Sequence, residues 1–310
     1  MSELFNFNNL IPLSTVRDWL RWAVSRFNEA ELHFGHGSST AYDEAAYLIL
    51  HTLHLPLNQL EPYLDAHLAA EERKALFNII EARVKTRKPA AYLTHEAWLK
   101  DFKFYVDERA IVPRSLIADM LLDDEASFIQ PWIDTMPDNP KHILDLCTGS
   151  GCLAIILAHL YPETEIHAVD LSEQALEVAK KNVHDYNLEQ RVKLFHGNLF
   201  APLGNQRYDI IISNPPYVTE ESVAKLPAEF LHEPAMALGA GADGLDCIRP
   251  MLEQAKNYLD PNGIIVVEVG HNRDIVELAY PQIPFIWFES AENEGHVFLL
   301  STADLEELVI

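Results

Sequence analysis

From Lys141 onward, five short runs rich in Val, Ile and Leu alternate with stretches of helical periodicity, and this alternation restricts the fold more than any other feature of the chain. The strand runs are HILDL (142–146), EIHAVD (165–170), VKLFHG (192–197), YDIIIS (208–213) and GIIVVEV (263–269), with SEQALEVAKKNVHDY the clearest helix between them. A strand that is apolar along its whole length must be covered on both faces. The pattern therefore predicts an α/β domain, a parallel sheet flanked by helices. The last run, FIWFESAENEGHVFLLS (285–301), differs: two strands joined by a short polar turn, so the final strand must run antiparallel to its partner.

Residues 1–100 follow another period. Ser14 can cap a helix whose Val16, Leu20, Val24 and Phe27 share a face, and Thr40 with Asp43 has capping-box spacing ahead of AAYLILHTLHL. A third helix, AEERKALFNIIEARVKTR, places Leu76, Ile79, Ile80 and Val84 on one side and stops before Pro89. A small helical bundle is expected there. Residues 101–140 read as a connector. In DFKFYVDERAIV two β-prone runs flank Asp107-Glu108 as a hairpin, and an apolar helix and the Pro-rich QPWIDTMPDNP follow. The expected division is thus 1–100 helical, 101–140 connecting and 141–310 α/β.

Charge narrows the possible partners. The chain has 23 Lys and Arg against 47 Asp and Glu, a net −24, yet residues 1–100 hold 10 of the basic and 12 of the acidic side chains. Nearly all the excess lies in the remainder. Such a surface repels phosphate backbones, which argues against a general grip on DNA or RNA. The N-terminal MSELFNFNNLIPLS has no basic start and apolar core of a secretory signal, and no apolar run is long enough to span a membrane. Cys147, Cys152 and Cys247 form no CxxC pair and leave an odd thiol, as expected of a reducing cytoplasm. His33/His36 and His51/His54 lack the further ligands of a zinc set, so no metal is expected.

Asp145-Leu-Cys-Thr-Gly149-Ser-Gly151 ends the first strand and opens a helix. Glycines here permit a tight turn, close approach of a ligand, and access to free helix N–H groups. Asp170 closes the second strand, where a carboxylate can accept both hydroxyls of a ribose. A dinucleotide would suit this turn, and so would another nucleoside cofactor. Asp145 favours S-adenosylmethionine: four residues before the first glycine, it can meet the ammonium of an amino-acid half. Asn198, after the third strand, offers a polar group to an adenine amine.

Strand four runs directly into Asn214-Pro215-Pro216-Tyr217, and parallel sheets bind ligands at the carboxyl ends of their strands. That loop suits methylation of a planar nitrogen, whose delocalised lone pair makes it a poor nucleophile. Asn214 Oδ1 and the Pro215 carbonyl can each accept one N–H and aim the lone pair. Proline stiffens the loop, and Tyr217 can stack on the substrate. Pro216 and, from the connector, Phe104 complete the expected substrate wall, although Phe104 equally suits packing between domains. Glu229 and Glu233 are expected either to meet a basic target or to lie in solvent, and Glu268 to be structural.

The segments FYVDERAIVPRS, AYLT, ILDLCTGSGCLAI, SNPPYV and HEPAMALGAGADGL together resemble the bacterial protein glutamine-N5 methyltransferases over nearly the whole chain. DNA adenine-N6 methyltransferases share NPPY, but they need a target-recognition region and basic phosphate contacts that this chain lacks. The resemblance implies a class I, Rossmann-like sheet of seven strands with the last antiparallel, a helical substrate domain and a β-hairpin linker. It also implies S-adenosylmethionine contact at Asp145, Gly149, Gly151, Asp170 and Asn198, and catalysis at Asn214, Pro215 and Tyr217. Relatives commonly carry Asp where Asn198 stands; its carbonyl still accepts from an adenine amine, so re-balanced cofactor binding is expected. Pro113-Arg114-Ser115, with Arg26-Phe27 and the Phe34-Gly35-His36-Gly37 turn, is similar to the ribosomal branch, which acts on large-subunit protein L-three. The release-factor branch usually reads PRPETE after the hairpin. An NAD-binding oxidoreductase and a non-enzymatic chaperone for a ribosomal protein are the alternatives from other classes. The acidic catalytic half would steer in a basic ribosomal protein that is free or early in assembly, and repel it once wrapped in RNA.

Overall fold

The computed structural model describes residues 7–10, 12–123, 128–290 and 293–306 of the 310-residue chain. Two compact units emerge. The first comprises the described residues up to Ala97 together with Leu226–His232, and the second comprises Trp98–Lys225 with the described residues from Glu233 onward.

In the first unit, α1 (Val16–Glu29), α2 (Ala41–Thr52) and α3 (Ala70–Thr86) pack around Trp19, Phe27, Leu48, Ile49, Leu76 and Ile80, and the short α4 (Ala90–Thr94) adds Ala90. The cap of α1 is Thr15, one residue after the expected Ser14. Its hydroxyl accepts from Asp18 N, while Asp18 Oδ2 accepts from the amides of Ser14 and Thr15. Asp18 is the residue that decides this, because the reciprocal box requires the acid three positions after the cap. Thr40 caps α2 through Asp43 N, as its spacing predicts. Helix α3 ends where Arg87 turns left-handed, two residues before Pro89.

Arg83 lies wholly buried in this unit. Its guanidinium donates to Glu44 Oε1 at 2.7 Å and to the His33 carbonyl at 3.1 Å, and it lies 3.7 Å from Glu229 Oε1. Glu229 is also fully buried, and it accepts from Arg87 at 2.8 Å and from His33 N at 3.1 Å. The segment 226–232 therefore seats a carboxylate among the cations of α3.

A hairpin at the boundary, β1 (Ala97–Leu99) and β2 (Phe102–Phe104), turns at Lys100-Asp101. This is earlier than the expected turn at Asp107-Glu108. Asp107 instead accepts from the Arg109 amide and guanidinium and from the Tyr105 hydroxyl, so its side chain closes a local turn and stops the strand. Short helices α5 (Leu116–Leu121) and α6 (Gln130–Ile133) lead to β3 (His142–Leu146). Then follow α7 (Cys152–Leu160), β4 (Glu165–Asp170), α8 (Glu173–Asp185), β5 (Val192–His196), β6 (Tyr208–Ser213), α9 (Glu220–Val223), α10 (Ile248–Tyr258), β7 (Leu259–Glu268), α11 (Arg273–Ala279), β8 (Ile286–Ser290), β9 (Asn293–Ser301) and α12 (Thr302–Glu306).

The sheet order is β5-β4-β3-β6-β7-β9-β8. All pairs through β7 are parallel, and β9 lies antiparallel between β7 and β8, as the terminal polar turn predicts. Both faces are dry. Ile143, Ile166, Ile210, Ile212 and Val266 pack on one side with α5 and α7, while Leu144, Val169, Ile211, Ile265 and Phe298 pack on the other with α10. The period-2 split of continuous apolar strands is what a doubly covered sheet requires.

Candidate active site

The carboxyl ends of β3, β4, β5 and β6 open onto one cleft of about 730 Å³, counting its mouth. Of the residues singled out from sequence, Gly149, Asp170, Asn198, Asn214 and Pro216 line it. The register explains the convergence. Leu146 pairs with Ser213, and Ser213 Oγ donates to the Leu146 carbonyl at 2.8 Å, so the Gly turn and the Asn214 loop leave the sheet side by side.

Gly149 has φ of +56°, and a side chain added there would meet nothing within 4 Å: its bare face is the cleft. Its amide donates to Asp170 Oδ2 at 2.8 Å, while Asp170 Oδ1 accepts from Ser172 N at 2.8 Å. Both carboxylate oxygens are thereby oriented and each keeps a lone pair. Burial raises the Asp170 pKa, and the two amide donors oppose that shift. Gly151 has a different task. At φ of +81° it starts α7, and a Cβ there would lie 3.2 Å from Ala179 Cβ of α8, so helix packing also favours a glycine here.

Asp145 sits behind the turn, fully buried. Its Oδ2 accepts from Thr148 Oγ1 and from Ala154 N, whereas Oδ1 is buried with no hydrogen-bond partner among the described residues. Burial pushes its carboxyl up to about 7. An unpartnered buried oxygen is costly unless something cationic or donating meets it.

Asn214 Nδ2 donates to the Arg114 carbonyl at 3.2 Å. That bond commits the amide nitrogen to the protein and leaves Oδ1 to accept. Arg114 is itself clamped. Its guanidinium forms a two-pronged pair with the buried Glu233 at 2.6 and 2.7 Å, and Glu233 Oε1 also accepts from Val112 N at 3.0 Å. Glu229 and Glu233 are therefore neither solvated nor free for a basic target. Each is consumed by arginines that the sequence leaves more than a hundred residues away.

Pro215 is buried, and Tyr217 is turned from the cleft wall towards Gly270, where a Cβ would come within 2.5 Å of Tyr217 Cε2. Asn272 Nδ2 holds the Tyr217 carbonyl at 2.6 Å. Burial beside Glu268 raises the Tyr217 pKa. Glu268 is structural, as expected: Oε2 accepts from Ser115 Oγ and Leu116 N and so caps α5, and burial pushes it up to about 7. Phe104 does not reach the cleft. It is wholly buried in the core against α7, with its ring 5.9 Å from Tyr186, because the hairpin turns earlier than expected and aims that side chain inward.

Three groups of cleft residues escape sequence reasoning: Arg109 and Ala110 from the connector, Met236 from the loop after Pro234, and Cys147 with Cys247. The cysteines carried the available signal, since Cys147 interrupts the Gly turn itself.

A mixed seven-stranded sheet in this order, with a Gly turn after its first parallel strand and an Asn-Pro-Pro-Tyr loop after its fourth, defines a class I S-adenosylmethionine-dependent methyltransferase. Comparison with known proteins agrees. Residues 122–244 match the methyltransferase small domain family, and residues 18–94 match the PrmC N-terminal domain family. The ribosomal protein uL3 glutamine methyltransferase of Neisseria meningitidis serogroup A is 56% identical over 293 residues, 94% of this chain and 95% of that protein. Those of Burkholderia pseudomallei and Bradyrhizobium diazoefficiens are 51% and 46% identical, covering 95% of this chain and 96% and 92% of theirs. The chain belongs to the ribosomal protein uL3 glutamine methyltransferase family.

Proposed function

We propose that the protein methylates the side-chain amide nitrogen of a glutamine in ribosomal protein uL3, and that the acceptor is free or early in assembly. The observation that carries the chemistry is the Asn214 amide, fixed by the Arg114 carbonyl so that Oδ1 is its acceptor. S-adenosylmethionine supplies an electrophilic methyl group on a sulfonium. Its fit rests on the unpartnered Asp145 Oδ1, which an ammonium would satisfy, on the open face of Gly149, and on the spare lone pairs of Asp170 for ribose hydroxyls. Asn198 lines the same cleft and would accept from an adenine amine.

Asn214 Oδ1 and the Pro215 carbonyl would each accept one N–H of the substrate amide. This rotates the nitrogen lone pair toward the methyl carbon and stabilises the positive charge that grows on nitrogen in transfer. The nitrogen gains the methyl group and afterwards loses one proton to solvent. Alignment and water exclusion carry the step. Tyr217, held against Gly270 and Asn272, keeps the loop at the depth this requires. Cytoplasmic location follows from such a substrate, and no described helix is long and apolar enough to cross a membrane.

Asp145 makes the cofactor site pH-dependent. A carboxyl at about 7 in the fold and 3.8 when exposed takes up a proton on folding. Its contribution to stability is therefore full below the lower value and is lost as pH rises through 7. A bound ammonium favours the ionised form, so S-adenosylhomocysteine affinity should rise between about pH 6 and 8 and then level off. Titration calorimetry should find that slope in the wild type and a flat profile in Asp145→Asn. A slope persisting in the variant would assign it to another group.

The substrate reading is tested by incubating the protein with methyl-labelled S-adenosylmethionine and, separately, purified uL3, peptide-release factors and DNA. Label in uL3 alone is expected, on a glutamine side chain. Label only in release factors would move the protein to the other branch, and label in DNA would overturn the chemistry. Free uL3 should be methylated faster than uL3 in assembled subunits. Because −24 is the net charge and a basic acceptor is steered by it, the rate should fall roughly tenfold between about 0.05 and 0.5 M salt. A flat response would reduce the acidity to a solubility device.

A further inference from the structure

Cys147 and Cys247 stand 100 residues apart in the chain, yet their sulfurs lie 3.7 Å from each other, and both line the cleft that receives Gly149, Asp170 and Asn214. Both are free thiols and half-buried, so each is accessible from the cleft. Cys147 follows β3 with φ of +61°, and Cys247 is the N-cap residue of the 11-residue α10. The cofactor chemistry described above uses neither sulfur. The remaining cysteine, Cys152, shows the contrast: it is buried in α7, and burial pushes its thiol up to about 12.

We propose that Cys147 and Cys247 form an oxidisable dithiol whose conversion to a disulfide by a peroxide shuts the cofactor cleft. The proposal rests on the reading that this cleft holds S-adenosylmethionine. The two thiols are not equivalent. The sulfur–sulfur contact lowers the Cys247 pKa, and Cys247 stands at the start of α10, where the helix dipole favours an anion. The same contact, with burial, raises Cys147. Cys247 is thus the attacking thiolate and Cys147 the resolving thiol.

The steps balance. Cys247 thiolate attacks one oxygen of the peroxide and breaks the O–O bond; the leaving hydroxide takes a proton and departs as water, with a sulfenic acid left on sulfur. Cys147 then attacks that sulfur, expels its hydroxyl as a second water with the thiol proton, and closes the S–S bond. Two thiols are oxidised by two electrons while one peroxide is reduced to two waters. Bonding needs sulfurs about 2.05 Å apart, so the pair must close by less than 2 Å. Cys147 is two residues before Gly149 and directly follows Leu146, whose strand partner Ser213 precedes Asn214. Drawing its sulfur toward α10 displaces the turn whose amide orients Asp170.

The test treats the full-length protein with hydrogen peroxide and measures S-adenosylhomocysteine affinity and disulfide mapping in parallel. The expected product is a Cys147–Cys247 cross-linked peptide two hydrogens lighter than its parts. S-Adenosylhomocysteine affinity should weaken about tenfold or more, with recovery in dithiothreitol. Saturation with S-adenosylhomocysteine beforehand should slow oxidation, because ligand and oxidant share the cleft. Cys247→Ser should bind S-adenosylhomocysteine equally well before and after peroxide. Oxidation that stops at a sulfinic acid on Cys247 without cross-link, or a cross-linked protein with unaltered affinity, would overturn the proposal. Reduced wild-type protein that fails to bind S-adenosylhomocysteine would instead overturn the cofactor reading.

Discussion

Asn214→Ala is expected to lower kcat by about 10²–10³-fold, the usual loss when one preorganised acceptor or donor at a developing charge is removed. The amide nitrogen of the substrate is a weak nucleophile, so the loop contributes chiefly through orientation, and orientation is lost wholesale when Oδ1 goes. S-Adenosylhomocysteine affinity should change little, because the turn at Gly149 and the carboxylate of Asp170 are independent of the Asn214 side chain. A kcat loss with preserved cofactor affinity, measured by single-turnover methyl transfer and calorimetry on the same preparation, is the expected signature. Near-normal turnover would remove Asn214 from the chemistry. Glu233→Gln should reproduce part of the loss, since it loosens the Arg114 clamp whose carbonyl fixes the amide.

Arg83→Met is expected to destabilise the protein by about 3–5 kcal/mol, the range for breaking a buried ion pair from one side. Methionine approximates the stem but leaves the Glu44 carboxylate buried without its donor at 2.7 Å and removes one of the two guanidinium groups near Glu229. Burial already raises the Glu44 pKa, and the arginine opposes that shift. Urea unfolding followed by tryptophan emission is the measurement, and Trp19 and Trp22 report on this very core. A loss below about 1 kcal/mol would mean that water reaches the vacated site and rescues the carboxylates. Pairing Arg83→Met with Glu44→Leu should recover part of the loss, because an apolar pair needs no compensation.

What could be read in advance divides by range. The strands at 142–146, 165–170 and 208–213 coincide with β3, β4 and β6 because their signal is local: short runs rich in Ile, Leu and Val. The antiparallel finish was legible from the short polar turn for the same reason. The destinations of charged side chains were not. Glu229 and Glu233 look alike in sequence, four residues apart in one loop, yet one meets α3 and the other Arg114. Phe104 packs in the core and not on the substrate wall, the choice being set by the turn at Lys100, a single residue at φ of +47° that no pattern announced. Nothing in the sequence beside the Gly turn announces that Gly151 also packs against Ala179 on another helix.

The chain passes from one unit to the other at Ala97, returns at Leu226 and leaves again after His232. Synthesis therefore cannot complete the first unit first. Chains grow from the N-terminus, and domains commonly fold as they emerge. Here the apolar core comes entirely from residues 7–90, but Arg83 faces only part of its complement until three-quarters of the polypeptide has left the ribosome and Glu229 arrives. The helical core can form from its own residues before then, and a ribosome stalled before codon 229 would hold a nascent chain whose buried Arg83 has met Glu44 but not Glu229.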